Sequence, residues 1–375
     1  MTYIHGLKNW PEFRWDAETI VPLLADVRHK QGLLLGRMSS LGFPLRNEAS
    51  LEILTADVVK SSAIEGENLE PAQVRSSIAR KLGVDIGGTA PVNRHVEGIV
   101  EVALDATQNY GKALTKGRLF GWYAALFPTG RSGLHKIAVG KWRTAESGAM
   151  QVVSGALGRE RVHFEAPASG RLKDEMKVFL GWFNLPPTDD PVLKSAVAHF
   201  WFVTIHPFAD GNGRLARAIA DMSLARSDHS AQRFYSMSAR IERERDEYYS
   251  RLESCQKGNL DITPWLTWFF ACLGRAIDGA DEDLSGVLYK ARLWEKINQG
   301  PCNDRQRKIV NKLLANFTGN LTTSKYAKIA KCSPDTALRD IKQLINQGVL
   351  TQNPGGGRSA SYQLIELEGG TSSTI

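Results

Sequence analysis

Apolar residues recur every three or four positions along most of the chain, the spacing of helices that bury one face. Amphipathic stretches of helical length run from Glu18 to Ser39 and from Glu48 to Ala63, broken at Gly42-Phe43-Pro44 and at Gly66. A denser apolar run, Pro191 to Thr204, carries Ala196, Val197, Phe200, Trp201 and Val203 and predicts a buried helix; Leu215 to Ala225 predicts another. Strand character is confined to Met150–Val153 and Arg161–Glu165, which flank Ser154-Gly155-Ala156-Leu157-Gly158 and predict a hairpin. Towards the end, Asp304–Ala315, Ser324–Ala330 and Pro334–Asn346 read as helices, with Ser333 as N-cap and Pro334 opening the last. Strand-like Val349-Leu350-Thr351, a Gly355-Gly356-Gly357-Arg358 turn and strand-like Ser361–Leu364 follow. Acidic residues 278–286 read as a linker, and Gly369–Ile375 as a fraying end. The predicted class is mainly α, in three regions: 1–114, 115–277 and 287–368.

The composition, 375 residues with 42% hydrophobic and 23% charged, is that of a globular protein and excludes a disordered or fibrous one. The net charge of +7 is uneven: residues 286–375 hold 13 basic against six acidic side chains, while residues 1–285 balance. Four widely spaced cysteines without a Cys-x-x-Cys pair argue against a disulfide scaffold or a cysteine zinc site. Met1–Asp16 lacks an apolar core for a signal peptide, and the longest apolar cluster, Trp265–Leu273, is about half a membrane span. The expectation is a cytoplasmic protein with no membrane partner.

The chemistry concentrates in His206-Pro207-Phe208-Ala209-Asp210-Gly211-Asn212-Gly213-Arg214-Leu215-Ala216-Arg217, a polar loop between two predicted buried helices. Gly211 and Gly213 let successive amides converge on a phosphate at a helix N-terminus, and Arg214 and Arg217 can chelate further phosphate oxygens. Asp210 is a hard oxygen ligand suited to Mg²⁺. His206 is the group nearby that accepts a proton near neutral pH. Together they describe a phosphoryl- or nucleotidyl-transfer site.

This segment resembles the signature of the Fic family, His-x-Phe-x-Asp/Glu-Gly-Asn-Gly-Arg-x-x-Arg, with every fixed position matched. The resemblance implies a Fic helical core with a β-hairpin flap, an N-terminal helical domain and a C-terminal winged-helix domain. It implies transfer of AMP from ATP to a Ser, Thr or Tyr hydroxyl of a protein target, with pyrophosphate released. His206 would be the base and Asp210 would hold Mg²⁺. Gly211, Asn212 and Gly213 would cradle phosphates together with Leu215 and Ala216, while Arg214 and Arg217 would bind the β- and γ-phosphates.

Upstream, Ser61-Ser62-Ala63-Ile64-Glu65-Gly66 is similar to the family's inhibitory motif, with Ser61, Glu65 and Gly66 at its defining positions. The resemblance implies that Glu65 pairs with Arg217 in the place of the γ-phosphate. It also implies that Val153, Ser154 and Gly155 of the hairpin line the nucleotide while the hairpin docks the target, and that Tyr248 and Tyr249 border the adenine. The C-terminal region resembles a winged helix-turn-helix. There Asp335, Thr336, Arg339, Lys342 and Arg358 would face DNA, although two acids on the last helix leave protein binding or homodimer formation equally open. A nucleotide-sensing DNA-binding regulator, removal of AMP by the same site, and another nucleotide donor also stay open.

Overall fold

The computed structural model describes all residues except 1–2, 87–89, 134, 146–148, 155–158, 160, 188, 315–316, 318, 355–359 and 366–375. The chain divides into two compact units, residues 1–283 and 284–375.

The first unit begins with α1 (Ala17–Ser39), α2 (Phe43–Ile64), α3 (Pro71–Leu82), α4 (Arg94–Gln108) and α5 (Lys116–Leu126). Two small ribbons follow, β1 (Arg131–Ser132) with β2 (His135–Lys136), and β3 (Gln151–Ser154) with β4 (Arg161–Glu165), both antiparallel. The remainder is α6 (Leu172–Asn184), α7 (Pro191–Ile205), α8 (Asn212–Asp228), α9 (Met237–Arg243), α10 (Arg245–Gln256), α11 (Thr263–Asp278) and α12 (Ala280–Asp283). In α1 the buried residues Ile20, Val27, Gln31, Leu34 and Met38 form one stripe, laid against α11. No break in packing separates residues 1–114 from 115–277, since α1 packs on α11 and α2 on α9.

The centre of this unit is α7. Asp190 caps its start by accepting from the Val192 amide, Pro191 fills the first turn, and every residue from Val192 to Ile205 is buried. Each large side chain so enclosed contributes about 1.5–3 kcal/mol, which makes α7 with its partner α8 a rigid mount for the loop between them. Asp57 ties α2 into the same body, accepting from the Ser236 hydroxyl (2.6 Å) and the Ser238 amide (3.2 Å) at the start of α9.

One sequence expectation is refined, and two features were not read from the sequence. The expected linker, residues 278–286, contains the division between the units but is largely helical: α11 runs to Asp278, α12 and α13 follow, and Gly279 has an ordinary helical φ of −72°. The β1–β2 ribbon was not legible, its strands being two residues long, too short for alternation to register. The N-terminal segment, polar by composition, is held down: Tyr3 and His5 pack edge-on against Phe164, the His5 ring donates to the Glu165 carbonyl, and the Arg14 amide bonds the Leu260 carbonyl.

The second unit runs α13 (Ser285–Asn298), α14 (Asp304–Leu314), β5 (Leu321–Thr322), α15 (Thr323–Ala330), α16 (Pro334–Asn346), β6 (Leu350–Gln352) and β7 (Ser361–Leu364). Its antiparallel sheet has the order β5-β7-β6. Ser333 caps α16 by accepting from the Thr336 amide. Gly355, Gly356, Gly357 and Arg358 lie outside the described residues. Among the described residues no helix is long and apolar enough to cross a membrane.

Candidate functional site

The loop leaves α7 through His206, which takes the left-handed conformation (φ 51°, ψ 58°) and so turns the chain sharply. Arg143, buried, fixes that turn: its Nε donates to the His206 carbonyl (2.8 Å) and its amide to the Pro207 carbonyl (3.0 Å). Phe208 is fully buried and stacks on Tyr123 (4.2 Å between ring centres), anchoring the loop. Asn212 is 2% exposed and spends its side chain on this anchor, accepting from the Phe208 amide (3.0 Å) and donating to the Phe208 carbonyl (2.9 Å). Its side chain thereby holds the loop.

The His206 Nδ1–H donates to the Val203 carbonyl (3.2 Å), which leaves Nε2 as the acceptor. Desolvation pushes the imidazole down to about 4, the Val203 bond opposing, so the ring is neutral at physiological pH. Asp210 accepts from the Gly211 amide (2.6 Å) and from the Ser132 hydroxyl of β1. Gly211 (φ 73°) is the N-cap of α8 and carries no side chain to cap it, so the first-turn amides stay available to an anion.

Leu215 and Ala216, expected at the nucleotide, are fully buried, and the Leu215 amide is already paired with the Gly211 carbonyl. Neither offers a side chain to a ligand; helix periodicity turns both into the core. Tyr248, 1% exposed, hydrogen-bonds His199 (3.0 Å) and tilts against Trp265 and Trp268, leaving Tyr249, half-buried, as the ring with surface to offer.

Ser61, Glu65 and Gly66 lie together at the end of α2. The C-cap of α2 is Glu65, and Gly66 follows in the left-handed region (φ 82°), the helix-ending role that only glycine takes without strain. Arg217, 3% exposed, donates from Nε to the Ser61 hydroxyl (2.9 Å) and from Nη2 to the Ser61 carbonyl (2.9 Å) and to Glu65 Oε1 (2.8 Å). Burial works against the guanidinium charge, but Glu65 outweighs it and the net shift of Arg217 is upward. The Glu65 carboxylate also lies over the first turn of α8: a Cβ on Gly213 would stand 2.2 Å from its Oε1.

A second acid, not singled out from the sequence, lies beside it. Glu67 accepts from Arg214 Nη1 (2.8 Å) and bonds the His95 ring of α4, while the Arg214 guanidinium also covers the Phe127 ring (5.2 Å). The repeated Glu-Gly-Glu spacing was the available signal; His95 gave none.

Glu65, His206, Gly213, Val153, Ser154 and Tyr249 line a common cavity of about 690 Å³, within the range of small-molecule sites. Gly155 lies outside the described residues. The cavity's outer wall is the β3–β4 ribbon, tied to α10 by Glu253, which accepts from His163 Nδ1 (2.5 Å), Arg161 (3.1 Å) and Lys257 (2.5 Å). His163 Nε2 in turn bonds the Ser154 hydroxyl (2.5 Å), so both strands hang on one carboxylate. Burial opposes the Glu253 charge, yet these donors hold the carboxyl down to about 2.

Comparison with known proteins agrees with this geometry. Residues 113–224 match the Fic/DOC family, and residues 3–84 match a domain of unknown function, DUF4172. The chain is 29% identical over 233 residues to Protein adenylyltransferase Fic of Culex quinquefasciatus, covering 61% of this chain and 42% of that protein. It is 33% identical over 114 residues to Protein adenylyltransferase Fic of Nematostella vectensis, covering 30% and 25%. The chain thus spans less than half the length of these curated relatives. A crystal structure of a Fic family protein from Desulfovibrio desulfuricans G20 shares the fold, with a TM-score of 0.59 at 19% identity over 94% of this chain and 97% of that one. The chain carries a Fic/DOC-family domain, and that domain contains the whole loop from His206 to Arg217.

Proposed function

We propose that the protein is a self-restrained adenylyltransferase that moves AMP from ATP to a hydroxyl of a protein target. The observation that carries this is the neutral His206, whose Nε2 has no hydrogen-bond partner among the described residues, lining the same cavity as Gly213 in the first turn of α8, with Arg214 and Arg217 following on that helix. Nε2 takes the proton of the incoming hydroxyl while the α8 amides and the two arginines bind the triphosphate, a division of labour that suits in-line displacement at phosphorus. The base contributes about 10²–10⁴-fold. Asp210, with the Ser132 hydroxyl beside it, would hold Mg²⁺, a hard cation suited to a carboxylate oxygen. Bound there, the ion neutralises phosphate charge.

Val153 and Ser154 line the nucleotide from the ribbon that docks the target, Tyr249 offers a stacking face to adenine, and Glu65 is the brake that holds Arg217. Functionally, residues 1–114 carry the brake, 115–277 the catalysis, and 287–368 a winged helix.

Purified protein incubated with α-labelled ATP and Mg²⁺ tests the proposal. Label is expected on protein with Glu65→Gly and none with His206→Ala; equal labelling of the two would overturn it. Parallel reactions with labelled UTP and CTP decide the donor. Release of AMP from pre-labelled protein decides the direction.

A second function is proposed for the C-terminal unit, binding of duplex DNA. What favours it is Asp340, which is 3% exposed and engaged by Arg305, Asn303 and Tyr326, so that one of the two acids on α16 is turned inward. Lys325, Lys328, Arg339 and Lys342 remain exposed. Fluorescence anisotropy with a labelled duplex should give a Kd that weakens steeply with salt; no binding at low salt rejects it.

A further inference from the structure

Gly66 turns the chain just after α2, and the two carboxylates on either side of it reach the same helix. Their targets are three residues apart on α8, almost one turn, so Glu65 meets Arg217 while Glu67 meets Arg214. We propose that Glu67 is a second gate and a specificity-determining residue of the nucleotide site: it keeps Arg214 occupied until a donor bearing several charged phosphates replaces both acids.

The chemistry supports an exchange. Arg214 is 9% exposed, and its Nε has no hydrogen-bond partner among the described residues. A guanidinium so enclosed needs an anion, and breaking such a pair without replacement is costly. Glu67 is itself held in place: the His95 bond and the Arg214 charge outweigh the burial that would neutralise it, and its pKa is lowered. The acid stays ionised and aimed at Arg214. Removing Glu65 frees Arg217 and leaves Arg214 closed. A triphosphate supplies a charged group for each arginine, whereas a monophosphate supplies one.

The inference rests on the nucleotide-binding reading above, and the experiment separates the two. Titration calorimetry with MgATP and with AMP is run on the full chain as wild type, Glu65→Gly, Glu67→Gln and the double variant, alongside α-labelled ATP transfer. The double variant is expected to bind MgATP about tenfold tighter than Glu65→Gly, equivalent to about 1.4 kcal/mol, with transfer rising in step and AMP affinity changing by less than about threefold. His95→Ala, which leaves Glu67 in place without its anchor, should give an intermediate gain. Equal MgATP affinity in Glu65→Gly and the double variant, with both folded by their melting curves, overturns the second gate while leaving the first function standing. If no variant binds MgATP, both fall.

Discussion

The contact between Glu65 and Arg217 should stabilise the fold as well as block the site. Glu65→Gln keeps the shape and one acceptor but removes the charge facing a guanidinium that is 3% exposed and whose Nη1 already lacks a partner among the described residues. Breaking a fully buried pair costs about 3–5 kcal/mol; Glu65 is 31% exposed and the amide still accepts, so the loss should be about 1–2 kcal/mol. For a unit of this size that lowers the melting temperature by about 2–3 °C. MgATP at a hundredfold excess over its Kd returns about 2.7 kcal/mol. The variant should therefore melt lower than wild type alone, gain more on adding MgATP, and transfer more label. Scanning fluorimetry with and without nucleotide reads the first two effects. A variant that melts at or above wild type and labels no better would refute the idea that Glu65 satisfies Arg217 in place of a ligand.

Three further outcomes follow from the same geometry. Because desolvation lowers His206 to about 4, and a base works only when neutral, the acid limb of transfer against pH should fall near 4; a limb centred at the ordinary histidine value would mean a solvated ring. Asn212→Ala leaves the Phe208 amide and carbonyl unpaired in a buried loop and should cost about 1–3 kcal/mol in denaturant unfolding. An unchanged midpoint would count against the anchor. Glu253→Gln should loosen the β3–β4 ribbon, seen as faster hydrogen exchange of the amides from Gln151 to Ser154. In wild type the same loosening should appear as pH falls from the ordinary glutamate value towards about 2, since a depressed carboxyl stabilises only while ionised. Protection that ignores both the substitution and the acid would remove Glu253 from this role.

Much of this architecture was legible because the elements that build it are long and periodic. Pro191–Thr204 and Pro334–Asn346 were bounded to within a residue by their caps and prolines. The loop was legible because its side chains are adjacent in the sequence. What escaped depends on distant segments meeting: Arg143 under His206, Ser132 against Asp210, His95 behind Glu67, and His163 with Glu253. None of these carries a local signal, since each is an ordinary polar residue until the fold supplies its partner. The inward turn of the Asn212 and Leu215 side chains escaped for the converse reason: a motif position does not reveal which way its side chain turns.

Asp57 fastens α2 to α9 some way before the helix ends, so the two acids near Gly66 overhang a fixed strut. Clearing them from the arginines then asks for rotation about side-chain bonds rather than departure of the helix. Such a restraint yields to whatever enters and springs back when it leaves, so the protein would keep no memory of its last turnover.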